Sequence, residues 1–234
     1  MANVADLLTL FPYKWGVGRL EQLEFLAMAK PPPLPGFVAT LSMIGVLGLM
    51  MSLGPQTQLM LALDPKAPSH WWFTLLTWGL VHGSMLHFFV NIAYIVQVGP
   101  FSWAAGGGGW RNVASLWGVF ALGTLVGGLA FLGSDAQGLV LVGASGGASA
   151  MAGFYVIYGT VISPDDRRYR LFGRAMVEFL LGAILLPILI AAFFDIRISW
   201  EAHAAGFASG LLVASWVVRK RNASTESAVA RLLV

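Results

Sequence analysis

Long uncharged apolar runs constrain this chain more than any other feature. Phe37–Leu53 carries no charged residue, and Ala175–Phe194 carries one, Glu178. A helix at the surface of a soluble protein shows a polar stripe at the helical period; neither segment does. Runs of this length match the roughly 20 residues that a helix needs to cross the hydrocarbon of a bilayer. Composition agrees, because only 11% of residues are charged and 57% are hydrophobic, against about 25% charged in soluble domains. Too little charge is present to cover a water-facing surface. The expected fold class is therefore an all-α polytopic membrane protein.

Punctuation by Pro, Gly and charge divides the chain into six spans. These are about Phe37–Leu53, Gly79–Val98, Val113–Leu132, Leu139–Ile162, Ala175–Phe194 and Trp200–Val218. Pro100 and the Gly106–Gly109 run are expected to end the second span, and Pro187 to kink the fifth. Residues 54–78, with Trp71, Trp72 and Phe73 beside Asp64, Lys66 and His70, read as a loop at the membrane interface. Residues 1–36 read as a cytosolic or interfacial segment without a cleavable signal. Leu20, Leu23, Leu26 and Ala27 are spaced there for an amphipathic helix ended by Pro31–Pro33 and Pro35. Residues 37–218 form one membrane domain, and residues 219–234 a basic tail.

Six spans put both termini on one side, and charge tests that arrangement. Of the 14 Lys and Arg residues, only Lys66 and Arg197 fall on the opposite side. The positive-inside rule then places both termini in the cytosol or its topological equivalent. The arginine-rich stretch 163–174 reads as a determinant of that topology. The absence of cysteine excludes disulfides and thiolate–metal sites.

Ionisable and polar groups inside such spans are costly and point to function or to a partner. His87 and Asn91 lie four residues apart, hence on one helical face, whereas His82, five before His87, is rotated off it. Ser145 sits among Gly143, Ala144, Gly146 and Gly147, where the chain can turn tightly and where the unpaired N–H groups of a helix start can hold an anion. His203 begins the sixth span and is followed by Gly206 and Gly210 at small-xxx-small spacing. Ser145, Ser149 and Gly153 offer a matching face on the fourth span. At about 1.5 Å per residue, Ser145 and His203 fall roughly 5–10 Å below the non-cytosolic surface, His87 roughly 12 Å below it, and Asn91 one turn deeper. Three helices thus bring polar residues to one layer.

Nucleophilic acyl transfer is the chemistry that suits this set. Serine becomes a nucleophile when a neutral imidazole takes its proton, and a tetrahedral oxyanion then requires donors. Ser145 and His203 are the expected catalytic pair. His87, Asn91 and the backbone N–H groups at Ala144 and Ser145 are the candidate donors. Glu201 lies two residues from His203 on another face, so the pair is read as a dyad without a carboxylate. Gly143-x-Ser145-x-Gly147 also matches the hydrolase elbow, which requires a strand, turn and helix on a soluble sheet. A zinc site is disfavoured, because no His-Glu-x2-His pattern occurs. A transporter would place its polar residues at the midplane.

Three motifs carry a resemblance to the rhomboid family of intramembrane serine proteases: His82-x4-His87-x3-Asn91, Gly143-x-Ser145-Gly146, and Ala202-His203-x2-Gly206-x3-Gly210. Their order and host spans fit the six-helix rhomboid core over about residues 37–218. The resemblance implies Ser145 as nucleophile, His203 as base, His87 and Asn91 at the oxyanion hole, and His82 as a structural residue holding the first loop. It implies membrane proteins with transmembrane segments as substrates, entering past the second and fifth helices. The bilayer is the other expected partner; no cofactor, metal or nucleic acid is expected. The implied location is a multi-pass position in a membrane, the bacterial inner membrane first. A rhomboid-like escort without catalysis is the alternative. Three places depart from common family features: Phe73-Thr74 where many relatives have Trp-Arg, no acid in Pro100–Ala105, and Ser149 where many bacterial members have an aromatic.

Overall fold

The structure, a computed structural model, describes residues 34–105, 111–134, 139–162 and 198–232. It is all-helical over these residues: α1 (Leu34–Met51), α2 (Pro55–Leu61), α3 (Trp71–Thr77), α4 (Met85–Ala105), α5 (Arg111–Leu132), α6 (Ser145–Ile162) and α7 (Trp200–Leu232). Short 3-10 turns occupy Pro68–His70 and Trp78–Leu80. No strand occurs among the described residues; a single isolated bridge pairs Leu63 with Leu141. The segment before residue 34, the basic stretch 163–174 and the expected fifth span with Pro187 lie outside the described residues.

Several expected boundaries move, each for a physical reason. Pro35 stands in the first turn of α1 rather than before it, where its missing N–H costs nothing. The second span does not start at Gly79. Helix α4 begins at Met85, capped by the Ser84 hydroxyl, which accepts the His87 N–H at 3.2 Å. It then runs through Gly99 and Pro100 to Ala105, since proline in an apolar helix removes one backbone bond and leaves the rest of the ladder intact. The fourth span is helical only from Ser145; Leu139–Gly143 precede it without helical structure. Helix α7 continues past Val218 to Leu232, so the expected basic tail is part of the helix.

By length and composition, Val113–Leu132 is the described helix long and apolar enough to cross a membrane on its own. The Pro68–Leu80 and Met85–Val96 segments form an apolar pair bent by 76°, and Val38–Met51 is apolar but shorter. Helix α7 is less apolar because it carries Glu201 and His203 and, in its second half, Arg219, Lys220, Arg221, Glu226 and Arg231.

Helix α6 lies at the centre, packed by α4, α5 and α7, with α7 its most extensive neighbour. Ala148, Ser149, Ala150 and Met151 are fully buried. Helix α1 turns Ala39, Met43 and Leu47 inward and leaves Leu41 and Leu49 outward. It is tied to α5 by the Trp117 indole, which donates to Ser42 Oγ at 3.0 Å.

The α6–α7 seam is made by backbone. A Cβ added at Gly206 would clash with the Gly146 carbonyl, and one at Gly210 with the Ala150 carbonyl. Lipid tails are as apolar as side chains, so close packing of small residues holds such helices together. Overpacking typically costs about 1–3 kcal/mol, more where backbone must move. Gly210→Val is therefore expected to lower the thermal unfolding midpoint in detergent clearly. Gly45→Ala, at a position with nothing within 4 Å of the added carbon, should leave it unchanged. Equal midpoints for the two variants would contradict the seam.

Candidate active site

The segment before Ser145 is extended backbone inside an apolar protein, so each of its polar groups needs a partner. The first loop supplies most of them. Leu63 and Leu141 exchange both backbone bonds, at 3.1 and 2.9 Å. The Gly143 N–H donates to the Trp78 carbonyl at 3.0 Å. Trp78 is itself fully buried, and its indole N–H donates to the Thr124 carbonyl at 3.2 Å. The Ala144 N–H donates to His82 Nε2 at 3.4 Å, and the Ala144 carbonyl accepts the Ala148 N–H at 2.9 Å. Extended chain, turn and helix start follow one another here much as in a nucleophile elbow, with the first loop in place of a sheet.

Gly143 makes the turn possible. Its φ of +117° is a conformation that side chains rarely adopt. A Cβ there would lie 2.5 Å from His87 Cε1 and 3.4 Å from Asn91 Nδ2. The same contacts show that His87 and Asn91, from the first two turns of α4, face the loop that carries Ser145. The Asn91 amide donates to the His87 carbonyl at 3.1 Å. That bond orients the amide and leaves its second N–H for another acceptor.

His203 enters from the first turn of α7. Ser199 caps this helix: its hydroxyl accepts the Ala202 N–H at 3.4 Å and donates to a Glu201 carboxylate oxygen at 3.0 Å. Glu201 thus serves the helix start, where a negative charge is favourable. His203 is buried, and its Nε2 lies 2.6 Å from Ser145 Oγ. This is hydrogen-bond distance between side chains 58 residues apart. Among the described residues, no three His, Cys, Asp or Glu side chains gather as a metal site.

Two expectations change. Ala144, expected among the oxyanion donors, has its N–H turned to His82. His82, expected on the second helix and tied to the first loop, precedes that helix and holds the loop before Ser145 instead. Its ring packs edge-on against His87 and Phe88, with centroids at 5.2 and 5.5 Å. As acceptor, Nε2 carries no proton, so the ring is the neutral tautomer protonated at Nδ1. Sequence reasoning missed Leu63, Leu141 and Trp78. The aromatic content of residues 71–78 was the available signal, and it pointed to the interface rather than to the site. Of the departures from relatives, Thr74 is buried and its hydroxyl donates to the His70 carbonyl at 3.0 Å. Ser149 is fully buried one turn below Ser145.

Comparison with known proteins fits this geometry. The family model for the Rhomboid domain matches residues 68–221. Among curated proteins, no individual sequence matches significantly. The chain belongs to the rhomboid family, a family of membrane proteins.

Removing the His82 acceptor leaves the Ala144 N–H unpaired in the interior, at a cost of about 1–3 kcal/mol. His82→Leu is thus expected to destabilise the protein to thermal unfolding, and His82→Gln, which keeps an acceptor, to recover part of the loss. A His82→Leu variant as stable as the wild type would refute the tie.

Proposed function

We propose that this rhomboid-family protein is an active intramembrane serine protease that cuts membrane-protein substrates in or near their transmembrane segments. The observation that carries the reading is the 2.6 Å approach of Ser145 Oγ to His203 Nε2. His203 Nε2 takes the hydroxyl proton as Ser145 Oγ attacks the scissile carbonyl. The carbonyl oxygen becomes an oxyanion, held by His87, the free Asn91 N–H and the Ser145 N–H, one of the helix-start donors without an intrahelical partner. His203 then gives the proton to the leaving amine. Water attacks the acyl-enzyme, His203 again acting as base, and Ser145 is restored. Gly143, Gly146, Gly206 and Gly210 serve this chemistry indirectly, by letting backbones come close enough for the pair to meet. Helix α6 is central and Ser145 is only partly buried at its start, and the substrate segment enters laterally, past the second and fifth spans.

A serine-reactive fluorophosphonate probe is expected to label the wild type, and to label neither Ser145→Ala nor His203→Ala. Asn91→Ala should fold normally and lose about 100-fold in the rate of substrate cleavage, a typical effect of removing one oxyanion donor. Labelling that persists in Ser145→Ala would remove the mechanism. A wild type that is folded, unlabelled and still bound to membrane proteins would favour the escort reading.

The same proposal includes six membrane spans with both termini on the cytosolic side, in a cell membrane of bacterial type. Charge asymmetry supports it, with Lys66 and Arg197 alone on the far side. The chain has no native cysteine, so single cysteines report on sidedness without background. In intact cells an impermeant maleimide is expected to label Lys66→Cys. It should label Lys14→Cys and Arg168→Cys only after permeabilisation. Labelling of Arg168→Cys in intact cells would overturn the six-span arrangement.

A further inference from the structure

The outward face of α7 changes character in an ordered way along its length. Ala208, Leu212, Trp216 and Lys220 are all exposed and follow one another at the i+4 spacing that keeps them on one face. The series runs from small and apolar, through aromatic, to cationic. Lys220 Nζ lies 4.4 Å from the centroid of the Trp216 ring, a cation–π contact. At the other end of the helix, Trp200 is also exposed. Trp200 and Lys220 are separated by about 30 Å of helix, which equals the hydrocarbon thickness of a bilayer. Tryptophan and lysine are the residues that mark the level of the headgroups. An outward stripe of this kind requires lipid as its neighbour down to Trp216, and headgroups at Lys220.

Lys220 does not stand alone at that level. Arg219 is exposed beside it, so two successive positions about 100° apart carry positive charge on the outward side of the helix. Helix α7 continues unbroken to Leu232. Arg219 and Lys220 therefore project from a continuous helix at a defined height, rather than from a loose tail. We infer that Trp216, Arg219 and Lys220 form a binding collar for anionic lipid headgroups of the cytosolic leaflet. Trp216 seats the acyl-chain boundary, and the cations take the phosphate and its acidic substituent. The collar fixes the depth of α7 in the bilayer, and with it the depth of His203. This inference rests on α7 crossing the membrane and is independent of the chemistry at Ser145.

The test uses the full chain reconstituted into bilayers at low salt. Trp216 fluorescence is isolated as the difference between the wild type and Trp216→Phe. Quenching is compared for acyl-brominated phosphatidylglycerol and acyl-brominated phosphatidylcholine. Phosphatidylglycerol should occupy the site about five-fold more often, the factor that one basic residue near an anionic surface supplies. The preference should vanish in Arg219→Gln/Lys220→Gln, persist in Arg219→Lys/Lys220→Arg, and vanish for the wild type at high salt. Equal quenching by the two lipids, or a preference that survives high salt, overturns the inference. So does displacement of the lipid by millimolar inorganic phosphate, which would mark a site for free anions. The salt comparison uses only the wild type and Trp216→Phe, so it decides the matter even if the double glutamine variant fails to fold. Fluorophosphonate labelling of that variant separates the two proposals, since none of the collar residues touches Ser145 or His203.

Discussion

Backbone contact between α6 and α7 is the constraint on which the rest of the structure depends. Gly206 lies against the Gly146 carbonyl, and Gly210 against that of Ala150, so the two helices are separated by no side chain at these points. Ser145 is the residue before Gly146, and His203 is one turn before Gly206. Their 2.6 Å approach follows from this seam. In hydrocarbon there is no water to exclude between helices, and van der Waals fit alone must hold them. Methyl groups at these glycines would push apart the helices that carry Ser145 and His203.

A second requirement is set by the medium. Leu139–Gly143 are not helical, yet they lead into the centre of the bundle. Unpaired amides there would cost several kcal/mol each. The first loop meets that demand through Leu63 and Trp78, and His82 completes it at Ala144. The loop between α1 and α4 is thus the structural counterpart of the segment that precedes Ser145. This explains why Trp78, which presents a large apolar ring, is buried completely and bonded through its only polar atom.

Much of this was legible in the sequence. The runs at residues 37–53 and 113–132 gave helices within about three residues of their observed ends, because an uninterrupted apolar run admits little else. The spacing of His87 and Asn91 placed them on one face, and the glycines around Ser145 and after His203 marked close approach. What remained hidden depended on long-range pairing. Nothing local to Leu63 or Leu141 indicates that they bond each other. The start of α4 at Met85 was missed because Gly79–Ser84 is apolar enough to read as span, and composition does not distinguish a helix from an extended entry. Ala144 was assigned to the oxyanion side because its neighbours suggested a donor-rich turn; the direction of its N–H depends on His82, 62 residues away.

The glycine seam also bears on how the protein is controlled. Catalytic groups carried by mobile loops can be brought together or withdrawn at each turnover, and regulation can act on that step. Here the two side chains ride on helices packed backbone to backbone, so no loop has to move to bring those helices together. On the proposed function, much of the entropy of assembling the pair is lost once, during folding, rather than at each reaction cycle. On the proposed function, a switch would act most directly by admitting or refusing the substrate, because the helices that carry the pair are already packed together.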